Sequence, residues 1–80
     1  MTVTVRLFAY YAEGVGRNEL SLELADGATV ADVLAVVGAL PGASAIPSAP
    51  LVALNLTYTT ASARLAHGDE VAIIPPVAGG

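Results

Sequence analysis

Hydrophobic and polar residues alternate along the first part of the chain. In residues 2–10 successive side chains point to opposite sides, which predicts a strand with one buried face. The inward set is Val3, Val5, Leu7 and Ala9, and the outward set is Thr2, Thr4, Arg6, Phe8 and Tyr10. Residues 19–24 alternate in the same way, and residues 12–18 between them are rich in turn formers. The pattern therefore predicts a β-hairpin.

The spacing of apolar residues becomes helical after Gly27. Thr29 and Asp32 resemble a capping box, with Asp in place of the usual Glu or Gln. The apolar stripe that follows consists of Val30, Val33, Leu34, Val37 and Leu40. Because Pro41-Gly42 ends the stripe, we predict one amphipathic helix with its apolar side in the core.

The second half of the chain predicts further strands. Residues 43–50 form an uncharged Ser/Pro/Ala loop, residues 51–55 and 70–74 are apolar runs typical of strands, and a short strand is predicted around residues 57–60. His67-Gly68-Asp69 has turn chemistry, and Leu65 is expected to anchor that turn from below.

The order β-β-α-β-(β)-β predicts an α+β fold, with a mixed sheet of four to five strands and one main helix packed across one face. If the last strand lies beside the first, as in ubiquitin-like β-grasp domains, Val71 and Ile73 fill the core under Val33 and Val37. Eighty residues organise only one core, so we expect one domain over residues 1–76 and a flexible tail over residues 77–80.

The composition excludes several classes of function. A chain that is 55% hydrophobic and 12% charged should fold, and its net charge of −4 argues against nucleic acid and for a basic protein partner. It has no cysteine, which excludes disulfides, thiolate metal sites and a cysteine nucleophile. Residues 1–6 lack the features of a signal peptide, which indicates the cytoplasm.

An uncharged stretch between Asp32 and Arg64 is long enough to span a bilayer. Glycines and prolines interrupt it at positions 38, 41, 42, 47 and 50, and its first part is striped rather than uniformly apolar. A core helix followed by a loop is therefore predicted, and no membrane association.

Candidate chemistry inside the domain is sparse. His67 is the single histidine and, without a second His or any Cys, supplies neither a metal site nor a nucleophile–base pair. Asp69 and Glu70 are consecutive, so their side chains should face opposite ways as part of a solvated turn. Gly14-Val15-Gly16 is too short for a phosphate-binding loop and is interpreted as the hairpin turn. We expect no metal site and no active site here.

The C-terminal segment differs from the rest. Pro75 and Pro76 lack N–H donors, so they should end the last strand and extend the chain outward. Gly79 and Gly80 have no Cβ and fit a narrow channel. A Gly-Gly end alone is typical of a frayed terminus. After Pro-Pro-Val it indicates a carboxylate presented for chemistry, which an ATP-dependent partner must activate.

Residues 65–80, LAHGDEVAIIPPVAGG, are the most specific part of a family resemblance that residues 5–9 and 53–55 support. The chain resembles the small subunits of molybdopterin synthase, in the MoaD/ThiS group of sulfur carriers. The resemblance implies that an E1-like enzyme uses ATP to adenylate the Gly80 carboxylate, and that a sulfur-donor protein converts it to a thiocarboxylate. The large synthase subunit would then accept the tail and supply the catalytic side chains, while sulfur passes to the pterin precursor of the molybdenum cofactor. No permanently bound cofactor is implied.

The resemblance also implies which residues meet partners. Gly79 and Gly80 form the reactive end, and partner contacts are assigned to Phe8, Ile74, Pro75, Pro76, Val77 and Ala78. Phe8 is out of phase with the core positions, which fits an exposed contact, with a second small core on that side as the alternative. Ala12 and Ala78 depart from the family pattern. A carrier for thiamine or cysteine synthesis and a ubiquitin-like protein modifier remain alternative functions.

Overall fold

A computed structural model of the chain describes residues 1–76. It contains five strands, two α-helices and one short 3₁₀ helix. In chain order these are β1 (Thr2–Leu7), α1 (Ala9–Val15), β2 (Glu19–Glu23), α2 (Val30–Gly38), the 3₁₀ helix (Ala43–Ala45), β3 (Leu51–Leu54), β4 (Thr57–Thr59) and β5 (Glu70–Ile74). The five predicted strands and the main helix are confirmed.

The strands form one mixed sheet in the order β2-β1-β5-β3-β4. The first strand, β1, pairs antiparallel with β2 and parallel with β5, where Leu7 lies opposite Ile73. The other neighbour of β5 is β3, which pairs antiparallel with it and with β4. The predicted placement of the last strand beside the first is therefore confirmed, and these two strands occupy the middle of the sheet.

Helix α2 covers one face of the sheet. Its Val30, Val33 and Val37 are fully buried and belong to the same apolar cluster as Val71 and Ile73 of β5. The predicted capping box is present at its start, where the Asp32 carboxylate accepts a hydrogen bond from the backbone N–H of Thr29 at 2.8 Å. Because α2 protects only one face, the opposite face of the sheet stays open.

The segment between β1 and β2 corrects the predicted hairpin turn. Residues 9–15 form helix α1 instead, although β1 and β2 do pair as hairpin arms. Ala9 has φ of +49° and turns the chain out of the strand, so it is exposed rather than inward-facing, while Tyr11 is buried with 1% of its surface accessible. Gly16 ends α1 in the left-handed conformation that glycine favours, with φ of +85°.

Gly14 lies inside α1 and touches Gly42 across the molecule. A Cβ on either glycine would overlap the backbone carbonyl oxygen of the other. This close approach packs α1 against the 3₁₀ helix, whose Ala43 is buried. The pair Gly14 and Gly42 therefore serves packing, and neither glycine is simply a turn residue.

The chain leaves the sheet through the two prolines. Pro75 is buried and Pro76 is exposed. The chain was predicted to extend outward from both prolines, but it becomes exposed only at Pro76. Val77, Ala78, Gly79 and Gly80 lie outside the described residues. Within residues 1–76, no helix has the length and apolar character needed to cross a membrane.

Candidate functional site

The open face of the sheet displays one row of residues that crosses all five strands. Strand register places Glu19, Arg6, Ala72, Ala53 and Tyr58 opposite one another in that order. Side chains alternate along a strand, so this row points away from the core-facing valines and from α2. The row is charged on β2 and β1, small and apolar on β5 and β3, and aromatic on β4, where Tyr58 lies.

The apolar half of this face contains a shallow depression of about 480 Å³. The depression is lined by Arg6, Phe8, Ala53, Leu56, Tyr58, Glu70, Ala72 and Ile74. From here on, the name open face refers to these lining residues and no longer to the whole side of the sheet. The small Ala53 and Ala72 are buried at its floor. Phe8 is 42% exposed, Tyr58 67% and Leu56 90%, so large apolar side chains stand around that floor. Clustered exposed apolar residues with a polar border mark an interaction surface.

An ion-pair ladder borders the depression. The guanidinium of Arg6 lies 3.5 Å from a carboxylate oxygen of Glu19 and 3.7 Å from one of Glu70. These groups are partly exposed, so the ladder contributes little to folding stability. Its effect on the open face is geometric, because it holds Arg6 beside the apolar floor and leaves an acidic border.

The β3–β4 turn forms another edge of the open face. Asn55 and Leu56, its two central residues, have φ of +49° and +72°, the signs required by a type I′ hairpin turn. The Asn55 side chain donates to Asp69 Oδ1 and accepts from the backbone N–H of Glu70, both at 2.9 Å. Its backbone N–H also donates to the carbonyl oxygen of Glu70 at 2.9 Å. This Asn55 latch ties the turn to the start of β5.

The polar residues at the start of β5 and in the turn before it have structural partners. Asp69 lies in the turn before β5 and accepts a hydrogen bond from the backbone N–H of Ala66 at 2.7 Å. Glu70 is the first residue of β5 and pairs with Arg6. His67 is exposed, and its Nδ1 accepts from the backbone N–H of Thr2 at 3.0 Å. Over residues 1–76, no three His, Asp or Glu side chains gather as a metal site.

Tyr11 is a titratable group whose pKa is clearly shifted by its surroundings. It packs against Tyr10 with ring centroids 4.9 Å apart and an interplanar angle of 78°. Burial raises the pKa of the Tyr11 phenol above its ordinary value of 10.0, and the neighbouring Tyr10 adds to that increase. This tyrosine belongs to the core and is not part of the open face.

The residues predicted from the sequence to contact partners divide into three groups. Phe8 and Ile74 both line the open face, Phe8 exposed and Ile74 half-buried. Pro75 is buried beside the end of β5, and Pro76 is exposed. Val77, Ala78, Gly79 and Gly80 fall outside the described residues, so the roles assigned to them stay predictions.

Sequence reasoning missed the contribution of β3 and β4 to this surface. Leu56 and Tyr58 provide much of the apolar rim, and the half-exposed Leu51 lies opposite Ile74 in the sheet. The available signal was the period-two pattern of residues 51–59, which places Leu51 and Ala53 on the side opposite Val52. The position of β3 and β4 relative to Phe8 depends on strand order, and a local sequence pattern does not contain strand order.

The chain matches a family model over almost its whole length. The ThiS family model covers residues 5–80. Two relatives described as "Molybdopterin synthase sulfur carrier subunit" are also similar. The protein from Chlamydomonas reinhardtii is 41% identical over 83 aligned positions that cover 100% of both chains, and the Arabidopsis thaliana protein is 40% identical over 98% of this chain and 82% of its own.

Solved structures share the fold. The crystal structure of SAMP1 from Haloferax volcanii superposes with a TM-score of 0.87 and 32% identity, covering 100% of both chains. A chain in the complex of subunits 1 and 2 of the molybdopterin-converting factor from Helicobacter pylori superposes with a TM-score of 0.75 and 22% identity, again over 100% of both chains. These similarities match the predicted ubiquitin-like β-grasp fold.

Proposed function

The chain belongs to the ThiS family, and we propose that it is the sulfur-carrier subunit of a molybdopterin synthase. The observation that carries this proposal is the end-to-end similarity, at about 40% identity, to two proteins described by that function. Its role is to present a C-terminal thiocarboxylate on Gly80, with the folded domain as the part that partners recognise. The chain is then a subunit and a cosubstrate, and the catalytic side chains belong to its partners.

The proposed chemistry takes place at the Gly80 carboxyl group. An E1-like enzyme joins this carboxylate to AMP, and pyrophosphate leaves ATP. A sulfur donor at the oxidation level of sulfide then attacks the acyl carbon. The bond between that carbon and the phosphate oxygen of AMP breaks, and AMP leaves. Because the chain has no cysteine, the carboxyl carbon is the sulfur attachment point that its own chemistry favours. The need for ATP fits the predicted cytoplasmic location.

The geometry of the open face supports this division of roles. β5 contributes Glu70, Ala72 and Ile74 to that face and is followed directly by Pro75 and Pro76. A partner that covers the open face is therefore positioned next to the point where the tail begins. Contacts on the domain can then supply the binding free energy that offsets the entropy lost when the tail becomes ordered in a channel.

The proposed partner at the open face is the large subunit of molybdopterin synthase. The converting factor of Helicobacter pylori forms a complex of subunits 1 and 2, and our chain shares the fold of a chain in it. An apolar depression bordered by Glu19 and Glu70 suits a surface with apolar side chains and a basic rim. An E1-like enzyme and a sulfur-donor protein complete the proposed set of partners.

The decisive experiment measures the intact mass of the chain after incubation with ATP, an E1-like enzyme and a sulfur donor. The proposal expects one oxygen to be replaced by sulfur in the C-terminal residue, and no exchange when ATP is omitted. A chain that lacks Gly80 is the matched control. Absence of exchange, with an activating enzyme that loads another carrier in the same assay, would contradict the proposal.

A second experiment identifies the pathway. The thiocarboxylated chain, mixed with a large synthase subunit and the pterin precursor, should lose its sulfur and form the dithiolene product. A carrier for thiamine or cysteine synthesis would load sulfur equally well but would leave the pterin precursor unchanged.

A protein modifier is the second candidate, because SAMP1, the small archaeal modifier protein 1, resembles the chain with 32% identity and a TM-score of 0.87. In that case Gly80 would form amide bonds with lysines of other proteins. The intact-mass experiment separates the two functions, since a modifier yields lysine-linked adducts and a carrier yields the sulfur-exchanged chain.

A further inference from the structure

We propose that Leu56 is a docking anchor that inserts into an apolar socket of the large synthase subunit, and that the fold keeps it in a strained backbone conformation for this purpose. The inference rests on the proposed function and adds a residue that neither the sequence pattern nor the family resemblance assigned. Three observations carry it: the backbone conformation of Leu56, the hydrogen bonds that hold its turn, and its place on the open face.

The backbone of Leu56 is unfavourable for its side chain. With φ of +72° it occupies the left-handed region, where the Cβ of an ordinary L-residue crowds its own carbonyl group. The second central position of a type I′ turn strongly favours glycine, as in Asn-Gly turns. Here the sequence is Asn55-Leu56, so the turn has the favoured first residue and an unfavourable second one.

The isolated domain does not compensate this strain through packing of Leu56. Leu56 is 90% exposed, the largest value among the exposed large apolar residues within residues 1–76. An apolar side chain in the left-handed region and in water lowers stability on both counts. A role in folding therefore does not explain why leucine is found there, whereas burial in a complex does.

The turn holds Leu56 in a fixed position before any partner binds. The Asn55 latch joins the residue before Leu56 to Asp69 and Glu70 with side-chain and backbone hydrogen bonds of 2.9 Å. A side chain on a fixed turn loses less entropy on binding than one on a mobile loop. This rigidity suits an anchor.

The surroundings of Leu56 define the partner chemistry. Leu56 lines the same depression as Phe8 and Tyr58, so one partner surface contacts all three residues. Glu70 lies at this edge and also lines a smaller depression with Asn55 and Leu56. The matching surface is an apolar socket with an Arg or Lys at its rim, which pairs with Glu70 in a chain of net charge −4.

The test uses the full chain and the purified large synthase subunit, with binding measured by calorimetry and folding by thermal unfolding. Leu56→Gly removes the side chain and the strain together. We expect affinity to fall about tenfold to a hundredfold, as for the loss of one buried leucine. The melting temperature should rise by about 2–6 °C, because the turn gains its preferred residue.

Two further variants separate the side chain from the backbone. Leu56→Met keeps an apolar side chain in the left-handed region and should bind within about threefold of the wild type. Asn adopts the left-handed conformation readily but is polar, so Leu56→Asn should weaken binding as Leu56→Gly does. Val36→Ala alters an exposed apolar residue on α2 and should leave affinity unchanged.

The outcomes distinguish this inference from the proposed function. If the wild type binds, Phe8→Ala weakens binding and Leu56→Gly binds as tightly as the wild type, then Leu56 is not an anchor while the open face still docks the partner. If the wild type fails to bind the large subunit, the proposed function and the anchor are both wrong. A lower melting temperature for Leu56→Gly would overturn the claim of strain.

Discussion

Phe8 joins two elements and the open face at a single position. It follows the last residue of β1, its carbonyl oxygen accepts from the backbone N–H of Tyr11 at 3.1 Å at the start of α1, and its side chain remains 42% exposed beside the depression. The backbone contributes to local folding, whereas the ring is free to contact a partner. The two contributions can therefore be separated by a side-chain substitution.

Phe8→Ala should weaken binding to the large synthase subunit by tenfold or more, because a large aromatic contact is lost. The free energy of unfolding should fall by less than about 1 kcal/mol, since the ring is only partly buried. Calorimetric titration and thermal unfolding of the same preparation measure the two effects. Unchanged affinity with a much lower melting temperature would instead place the ring in a second core.

Tyr11 makes the stability of the domain sensitive to alkaline pH. Burial and Tyr10 raise its pKa in the folded state above 10.0, so the folded state retains the proton more strongly than the unfolded state. The stability from this difference is fully present below about pH 10 and is lost as the pH rises through the folded-state pKa. Denaturant midpoints between pH 8 and 11 should therefore fall at the alkaline end.

Tyr11→Phe should remove this alkaline decline, because the ionisable group is gone. Tyr58→Phe, at an exposed position, is the matched control and should retain it. An alkaline decline of the same size in Tyr11→Phe would assign the effect to other groups.

At the scale of elements, the Asn55 latch connects the β3–β4 hairpin to the turn before β5. Asn55→Gly preserves the positive φ but removes the two side-chain hydrogen bonds to Asp69 and Glu70. We expect a loss of about 1–2 kcal/mol in the free energy of unfolding, measured by denaturant titration. Asn55→Asp should also destabilise, because its carboxylate would face that of Asp69. Stability equal to the wild type in both variants would show that the latch has no energetic role.

The two helices show what a local pattern can predict. Helix α2 has a capping box, a stripe over three turns and a terminating Pro-Gly, and each signal points to the same element. Helix α1 spans seven residues, has no side-chain cap and buries Tyr11 alone. Its residues also continue the alternation of β1 by chance through Tyr10. Two turns of helix are too short for periodicity to separate the alternatives.

The open face could be predicted from the sequence only in part. Phe8 could be recognised because it breaks phase with the buried positions of its own strand. Leu56 and Tyr58 lie on a different hairpin. They come near Phe8 only because β5 and β3 join β4 to the same sheet as β1. The left-handed conformation of Leu56 could not be predicted either, since leucine is rare in that region.

At the scale of the whole molecule, the proposed reactive end at Gly80 should be separable from the folded domain. Within residues 1–76, the last member of the apolar core cluster is Ile73. Deletion of Gly80 should therefore abolish sulfur loading, measured by intact mass, while thermal unfolding remains cooperative with an unchanged midpoint. Loss of cooperative unfolding in the deletion variant would show that the last residue contributes to the fold.

The parallel pairing of β1 with β5 also has a consequence for synthesis of the protein. The middle of the sheet is built from its first and last strands, so a nascent chain on the ribosome cannot complete the sheet until β5 has emerged. A product that stops before residue 70 lacks the strand between β1 and β3 and exposes the apolar surface of both. Only a chain whose translation has reached the region of the tail can therefore present the complete open face to a partner.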